Sequence, residues 1–331
     1  MWKRRWLRWS SWATALLLVA GLGLSWRAAS ELSSPTRRPI QDYHREFLGN
    51  AASHGVRLQA WTLKDGTPCL MAEPGAALSL GPRGVRIRDQ LAAKGLKLPP
   101  VGEIIGTLVL LHGRNGRKED YLLIAERLCA AGFRCLIPDL PGHGDHPEAL
   151  TRYGVAEAGL PGQVLAEAAA NYGFAAQPAG LLGMSMGGSV ALHGAAKEPA
   201  PWKALVIISS FDALQPVILR QATNRSGPWL GGLWAETTRW AYESRTGLPL
   251  SQIQPAALAG SLRLPTLIAH GTDDQVIAIE AGRRLYDALP AGLEKQWVEI
   301  PGADHHNVLI TDFPIYATIA EWMLRHLAPG A

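Results

Sequence analysis

The run Gly183-Met184-Ser185-Met186-Gly187-Gly188 constrains this chain more than any other segment. It follows a short apolar stretch, Ala179 to Leu182, and opens a stretch rich in small residues. That is the strand–turn–helix context in which a G-x-S-x-G turn lifts a serine hydroxyl out of the backbone. The reason is steric: a glycine two residues before the serine and another two after it let neighbouring segments come close where a Cβ would collide. The helix beyond the turn points unpaired N–H groups and partial positive charge toward whatever the serine attacks.

The rest of the chain repeats this alternation. Apolar runs predict strands at 57–63, 69–72, 107–111, 134–138, 180–184, 203–208, 266–270 and 296–300. Helical spacing predicts helices at 120–131, 164–171, 186–196, 279–289 and 314–327. Strands this uniformly apolar, joined by helices, belong to a mostly parallel sheet covered on both faces, and a single α/β domain over residues 51–331 accounts for them. Two segments break the pattern. Residues 74–105, rich in Gly, Pro and basic side chains, form a connection long enough to be functional or partly disordered, with Arg83, Arg86 and Arg88 read as a solvated face rather than an anion seat. Residues 209–262 carry Trp229, Trp234 and Trp240 among Pro216, Pro228 and Pro249, and predict a small helical lid. Cys69, Cys129 and Cys135 are an odd number without metal-ligand spacing and read as buried free thiols.

Charge is concentrated at the start. The formal net charge is +4, but residues 1–39 hold seven basic residues and one acid, Glu31, which leaves the remainder at −2 and gives no support to nucleic-acid binding. Lys3, Arg4, Arg5 and Arg8 precede an uncharged apolar run from Trp12 to Trp26, the layout of an export signal. At about 15 residues the run is short of the roughly 20 that span a bilayer comfortably. Ala28-Ala29-Ser30 offers a small-x-small cleavage pattern, with Arg27 just before it. Residues 1–30 are therefore expected to be a signal peptide or an uncleaved N-terminal membrane anchor (a transmembrane helix), and 31–50 a linker. Basic residues ahead of the run predict a cytoplasmic N-terminus and a body exported or anchored at the inner membrane, outside the cytoplasm. Trp2, Trp6, Trp9, Trp12 and Trp26 bracket the run as interface anchors do.

A nucleophilic serine needs a base, and the base an orienting acid. His270-Gly271-Thr272-Asp273-Asp274-Gln275-Val276 and Pro301-Gly302-Ala303-Asp304-His305-His306-Asn307 each follow a predicted strand, at the sheet edge where Ser185 also emerges. Together with Leu111-His112-Gly113-Arg114 and Asp139-Leu140-Pro141-Gly142-His143-Gly144, these segments resemble the α/β-hydrolase superfamily over roughly residues 55–328. The resemblance implies an α/β-hydrolase fold with a lid, and a Ser–Asp–His triad of Ser185, Asp274 and His305. Asp273 stands as a second choice for the acid and His306 for the base. It also implies an oxyanion hole from the backbone N–H groups of Met186 and Arg114, with His112 bracing the loop. His143, Asp139 and His270 read as architectural.

The expected chemistry is acyl transfer to water from a small-molecule ester, thioester or amide, with no cofactor and no metal. Ser rather than Asp at the elbow disfavours haloalkane-type chemistry. An acyltransferase, a peptidase and a non-catalytic membrane-associated binding protein are the competing readings.

Overall fold

The computed structural model describes residues 2–197, 201–309 and 314–328. Its strands are β1 (Val56–Thr62), β2 (Pro68–Pro74), β3 (Gly106–Leu111), β4 (Phe133–Pro138), β5 (Ala179–Met184), β6 (Trp202–Ile208), β7 (Thr266–Gly271) and β8 (Lys295–Ile300). The helices are α1 (Trp2–Ser33), α2 (Asp42–Gly49), α3 (Pro82–Ala93), α4 (Leu122–Ala130), α5 (Leu160–Tyr172), α6 (Met186–Ala196), α7 (Leu214–Thr246), α8 (Pro255–Ala259), α9 (Ile279–Asp287) and α10 (Ile315–Leu327).

All strands join one sheet in the order β1-β2-β4-β3-β5-β6-β7-β8, with β2 antiparallel to both its neighbours and the rest parallel. The pleat sorts successive side chains to opposite faces, and both faces are buried. Val109, Leu111, Leu181, Leu205 and Ile207 face one core with α5, α6 and α7. Leu108, Leu110, Leu182, Val206 and Ile208 face the other with α4 and α10. From β3 the chain winds first toward β4 and then back to β5 on the other side, so strand order reverses between β3 and β5. Such a switch leaves a crevice at the carboxyl ends of the two strands.

Two sequence expectations change at the periphery. Residues 74–105 contain α3, which seats Gly84, Ile87 and Leu91 inward and packs on α4. Arg83 reaches the buried Glu126 at 3.3 Å, and Arg88 donates to the carbonyls of Ala130 and Pro99. Both are structural, not a merely solvated face. The 31–50 linker contains α2, with His44 and Phe47 buried.

The N-terminal segment departs further. No helix among the described residues is long and apolar enough to cross a membrane, which gives the transmembrane reading of Trp12–Trp26 no support. α1 also runs without a break through Ala28-Ala29-Ser30, and Ala29 is fully buried in the sheet-flanking core. A signal ending at Ser30 would therefore divide a helix whose last turns are part of the body. Its terminal carbonyls, which no helix can satisfy internally, are taken up by the body: Leu32 accepts from Tyr153 Oη at 3.1 Å, Ser33 from the Thr151 N–H at 2.8 Å and Glu31 from Arg114 at 3.3 Å.

The lid is mainly α7, two limbs broken at Gly227 (φ 77°, ψ 170°) immediately before Pro228. Proline lacks the N–H and clashes with the preceding turn, so the break falls where the sequence demands it.

Candidate active site

Ser185 ends β5 and caps α6 with φ 54° and ψ −119°, a conformation that costs a non-glycine residue about 1–3 kcal/mol and survives only when its surroundings enforce it. Here they do. The Ser185 N–H donates to Ile208 O at 2.9 Å, while the Ser185 carbonyl accepts from Gly188 N–H at 3.0 Å and from Ser210 Oγ at 2.8 Å. The flanking glycines are required by contact: a Cβ on Gly183 would lie 2.1 Å from Gly187 O, and one on Gly187 would lie 2.1 Å from Leu111 O.

The structure brings Ser185, His305 and Asp274 together. His305 Nε2 is 3.0 Å from Ser185 Oγ, and His305 Nδ1 is 2.7 Å from Asp274 Oδ2. With Nδ1–H donating to the carboxylate, Nε2 is left to accept the serine proton. All three residues are buried. Asp274 Oδ1 accepts the N–H groups of Val276 and Ile277, at 2.9 and 2.8 Å. Burial by itself would raise the Asp274 pKa; hydrogen bonds from His270 and His305 and from the Ile277 backbone outweigh it and hold the carboxyl well below the usual carboxylate range.

The alternatives lie elsewhere. Asp273 is exposed and accepts from its neighbour Thr272. His306 is exposed, its ring edge-on to His305 at 5.7 Å, and its N–H donates to Asp304.

The loop after β3 lies across the crevice from the elbow, where a Cβ on Gly113 would be 3.5 Å from the Cβ of Ser185. His112 braces it: Nδ1–H donates to Gly113 O at 2.9 Å, and Nε2 accepts the Leu140 N–H at 3.0 Å. Burial depresses its pKa and favours the neutral ring that this pairing requires. Met186 opens α6, so its N–H has no acceptor within the helix. The far end of the loop is pinned by charge. Asp139, fully buried, accepts from Lys118 N and Asp145 N at 2.8 and 2.9 Å and pairs with Lys118 Nζ at 2.8 Å. His143 donates from Nδ1 to Pro141 O, and burial, with His112 beside it, pushes its pKa down to about 3.

One contact went unassigned at the level of sequence: His270 Nε2 lies 3.4 Å from Asp274 Oδ2 and 3.0 Å from Ile277 O, so this histidine holds the acid as well as the strand end. The signal was local, an acid four residues after a histidine across a tight turn. A cleft of about 300 Å³ lies between the limbs of α7 and the 250–254 turn, lined by Pro216, Leu219, Glu236 and Arg239. None of the three central residues lines it.

Residues 108–320 match the model of the Alpha/beta hydrolase family. The chain belongs to this family. It is 27% identical over 250 residues to a pimeloyl-[acyl-carrier protein] methyl ester esterase of Chromobacterium violaceum, a match spanning 65% of this chain and 92% of that protein. Among solved structures, an esterase of Pyrococcus furiosus covers 89% of this chain and all of its own at TM-score 0.61 and 16% identity. A monoacylglycerol lipase of Paleococcus ferrophilus covers 68% of this chain and 96% of its own at TM-score 0.51 and 22% identity. At such identities the structural likenesses establish the fold.

Proposed function

We propose that this protein is a serine hydrolase that cleaves carboxylic esters through an acyl-enzyme. The observation that carries the reading is the hydrogen-bonded line Asp274–His305–Ser185, closed at 2.7 and 3.0 Å. Ser185 Oγ attacks the ester carbonyl while its proton passes to His305 Nε2, and Asp274 stabilises the imidazolium that forms. The oxyanion accepts hydrogen bonds from the N–H groups of Met186 and Arg114; one donor of this kind contributes about 2.7–4 kcal/mol in the transition state. Collapse breaks the ester C–O bond, and the departing alkoxide takes the proton from His305. Water then enters, gives a proton to His305 and attacks the acyl group. The carboxylic acid leaves and Ser185 regains its proton.

The relative named as a methyl ester esterase supports an ester in preference to an amide. Labelling with a fluorophosphonate probe tests the assignment: the adduct is expected on Ser185. Ser185→Ala should abolish turnover of an activated ester with little change in Tm, and retained turnover would refute the nucleophile.

We also propose that the body acts outside the cytoplasm, exported or held at the inner membrane. The basic start of the chain ahead of the uncharged run Trp12–Trp26, which has the layout of an export signal, supports this. Cell fractionation with sequencing of the mature N-terminus checks it, and a cytosolic body would overturn it.

A further inference from the structure

The second limb of α7 and the C-terminal part of α1 run side by side in parallel. Ser25 Oγ meets Thr237 Oγ1 at 2.7 Å, and eight residues later in each helix Ser33 Oγ accepts from Arg245 Nε at 3.2 Å. The buried side chains of α1 in this stretch, Ser25, Ala29 and Ser33, are small and four residues apart, which lets the helices approach closely. By that constant register, residues 16–22 of α1 lie level with 228–234 of α7, just past the break at Gly227.

At this level and within about a turn or two of it, both helices present large apolar side chains to solvent. Trp12, Leu16, Val19, Leu22 and Trp26 are all exposed and recur at steps of four, three, three and four residues, within about 120° of one another around α1. Trp229, 92% exposed, Leu233 and Trp240 fall within about 40° of one another around α7, with Leu230 beside them. Glu236 shares that side and is ion-paired with Arg239 at 2.9 Å. An apolar face built on two helices and rich in tryptophan is an outlier for a surface that meets only water.

The charge of the chain says what it meets. Beyond the apolar face, about 12–20 Å further along α1 from Leu16, lie Lys3, Arg4, Arg5 and Arg8, and no acid precedes Glu31. A basic segment in line with an apolar, tryptophan-bearing helix face suits an anionic bilayer surface, which offers phosphates to the one and acyl chains to the other. With no helix among the described residues long and apolar enough to cross, the fit is to lying in the interface.

We infer that α1 and the second limb of α7 together form a docking face for an anionic phospholipid bilayer. The inference rests on the packing of these helices and not on the proposed ester chemistry. The lid thereby becomes the part of the molecule nearest the lipid, and the loop bearing Arg114, bonded to Glu31 at the end of α1, is tied to it.

The test uses the full chain with sedimented vesicles, either phosphatidylcholine alone or phosphatidylcholine with one-quarter phosphatidylglycerol. The chain should pellet with the mixed vesicles, less with the neutral ones, and less again as salt rises, because exposed charges are screened. Tryptophan emission should shift to the blue on binding. The combined variant Trp229→Ser, Leu230→Ser, Leu233→Ser, whose side chains are exposed, should fold normally by circular dichroism and bind the mixed vesicles at least about tenfold more weakly, since three apolar side chains no longer leave water on binding. Equal failure to pellet with both vesicle types overturns the inference, as does unchanged binding by the variant. So does light scattering that finds a wild-type dimer, a monomeric variant and no vesicle binding, because a second copy would then be what covers the face. Labelling of Ser185 in solution is read separately and fails or succeeds independently of vesicle binding.

Discussion

Gly187→Ala should damage the chemistry far more than a single methyl would elsewhere. Its Cβ would sit 2.1 Å from Leu111 O and 2.6 Å from His112 O, against an ordinary C···O approach of about 3.3 Å or more. Both obstructing atoms are backbone, at the end of β3, and Leu111 is held in register opposite Gly183 in β5. Neither can swing aside as a side-chain tip would, so relief requires α6 and the His112–Arg114 loop to separate by about 1 Å, the shortfall just given. That separation opens the gap between the N–H groups of Met186 and Arg114 in which the oxyanion would be held. Misplacement by about 1 Å costs roughly 10²-fold in rate, and loss of one oxyanion donor about 10²–10³-fold. Overpacking should lower stability by about 1–3 kcal/mol. The assay is turnover of a short-chain p-nitrophenyl ester, divided by the number of sites titrated with a fluorophosphonate, alongside urea unfolding. Gly162→Ala is the control: it lies in α5 with nothing within 4 Å of its Cβ, so it should keep full activity and be neutral or stabilised by up to about 1 kcal/mol. A Gly187→Ala enzyme within threefold of wild type at unchanged stability would refute the packing argument.

Other substitutions separate neighbouring assignments. His305→Ala should lower turnover by about 10⁴-fold or more, while the exposed His306→Ala should leave it within a few-fold; the reverse ranking in the same ester assay would reassign the base. Asp274→Asn should cost about 10³–10⁴-fold by disturbing the imidazole tautomer. It should also change acid stability. Because folding holds the Asp274 pKa below its ordinary value, its contribution is complete above about pH 4 and is lost as pH falls below that. The variant should therefore lose stability less steeply there, by up to about 1.4 kcal/mol per pH unit, and identical acid unfolding curves would count against the burial and hydrogen bonding described. Lys118→Met leaves the fully buried Asp139 without its cation and should cost about 3–5 kcal/mol in urea unfolding; a loss below 1 kcal/mol would mean the pair is dispensable.

The sheet was legible because its strands are buried on both faces, and continuous apolar runs such as Leu108–Leu111 and Leu205–Ile208 leave little ambiguity. The elbow was legible for a different reason, since contact with backbone permits only glycine at positions 183 and 187. Choosing between Asp273 and Asp274, or between His305 and His306, was beyond local pattern. Adjacent residues of the same type differ only in which way the turn aims them, and the turn is set by contacts such as Asp274 with Val276 and Ile277. α3 was missed because its polar surface dominates its composition, while the three residues that bury it, Gly84, Ile87 and Leu91, are spaced three and four apart in a basic background.

The first thirty residues show what composition leaves open. An uncharged apolar run behind a basic start satisfies the pattern of an export signal whatever the run later packs against, because lipid and protein interior reward the same side chains. What shows the helix packing on the body is which of its residues are buried. Ser25, Ala29 and Ser33 are buried at intervals of four, while Leu22, Leu24 and Trp26 are exposed between and before them. The same helix thus has two faces with different duties, one fixed by hydrogen bonds to Tyr153, Thr151, Thr237 and Arg245, the other apolar and open. Cleavage after Ser30 would strip away Ser25 and Ala29 and with them the buried contact. The body would then keep an exposed Trp229 limb without its neighbour, so retention of α1 and docking of the paired helices stand or fall together.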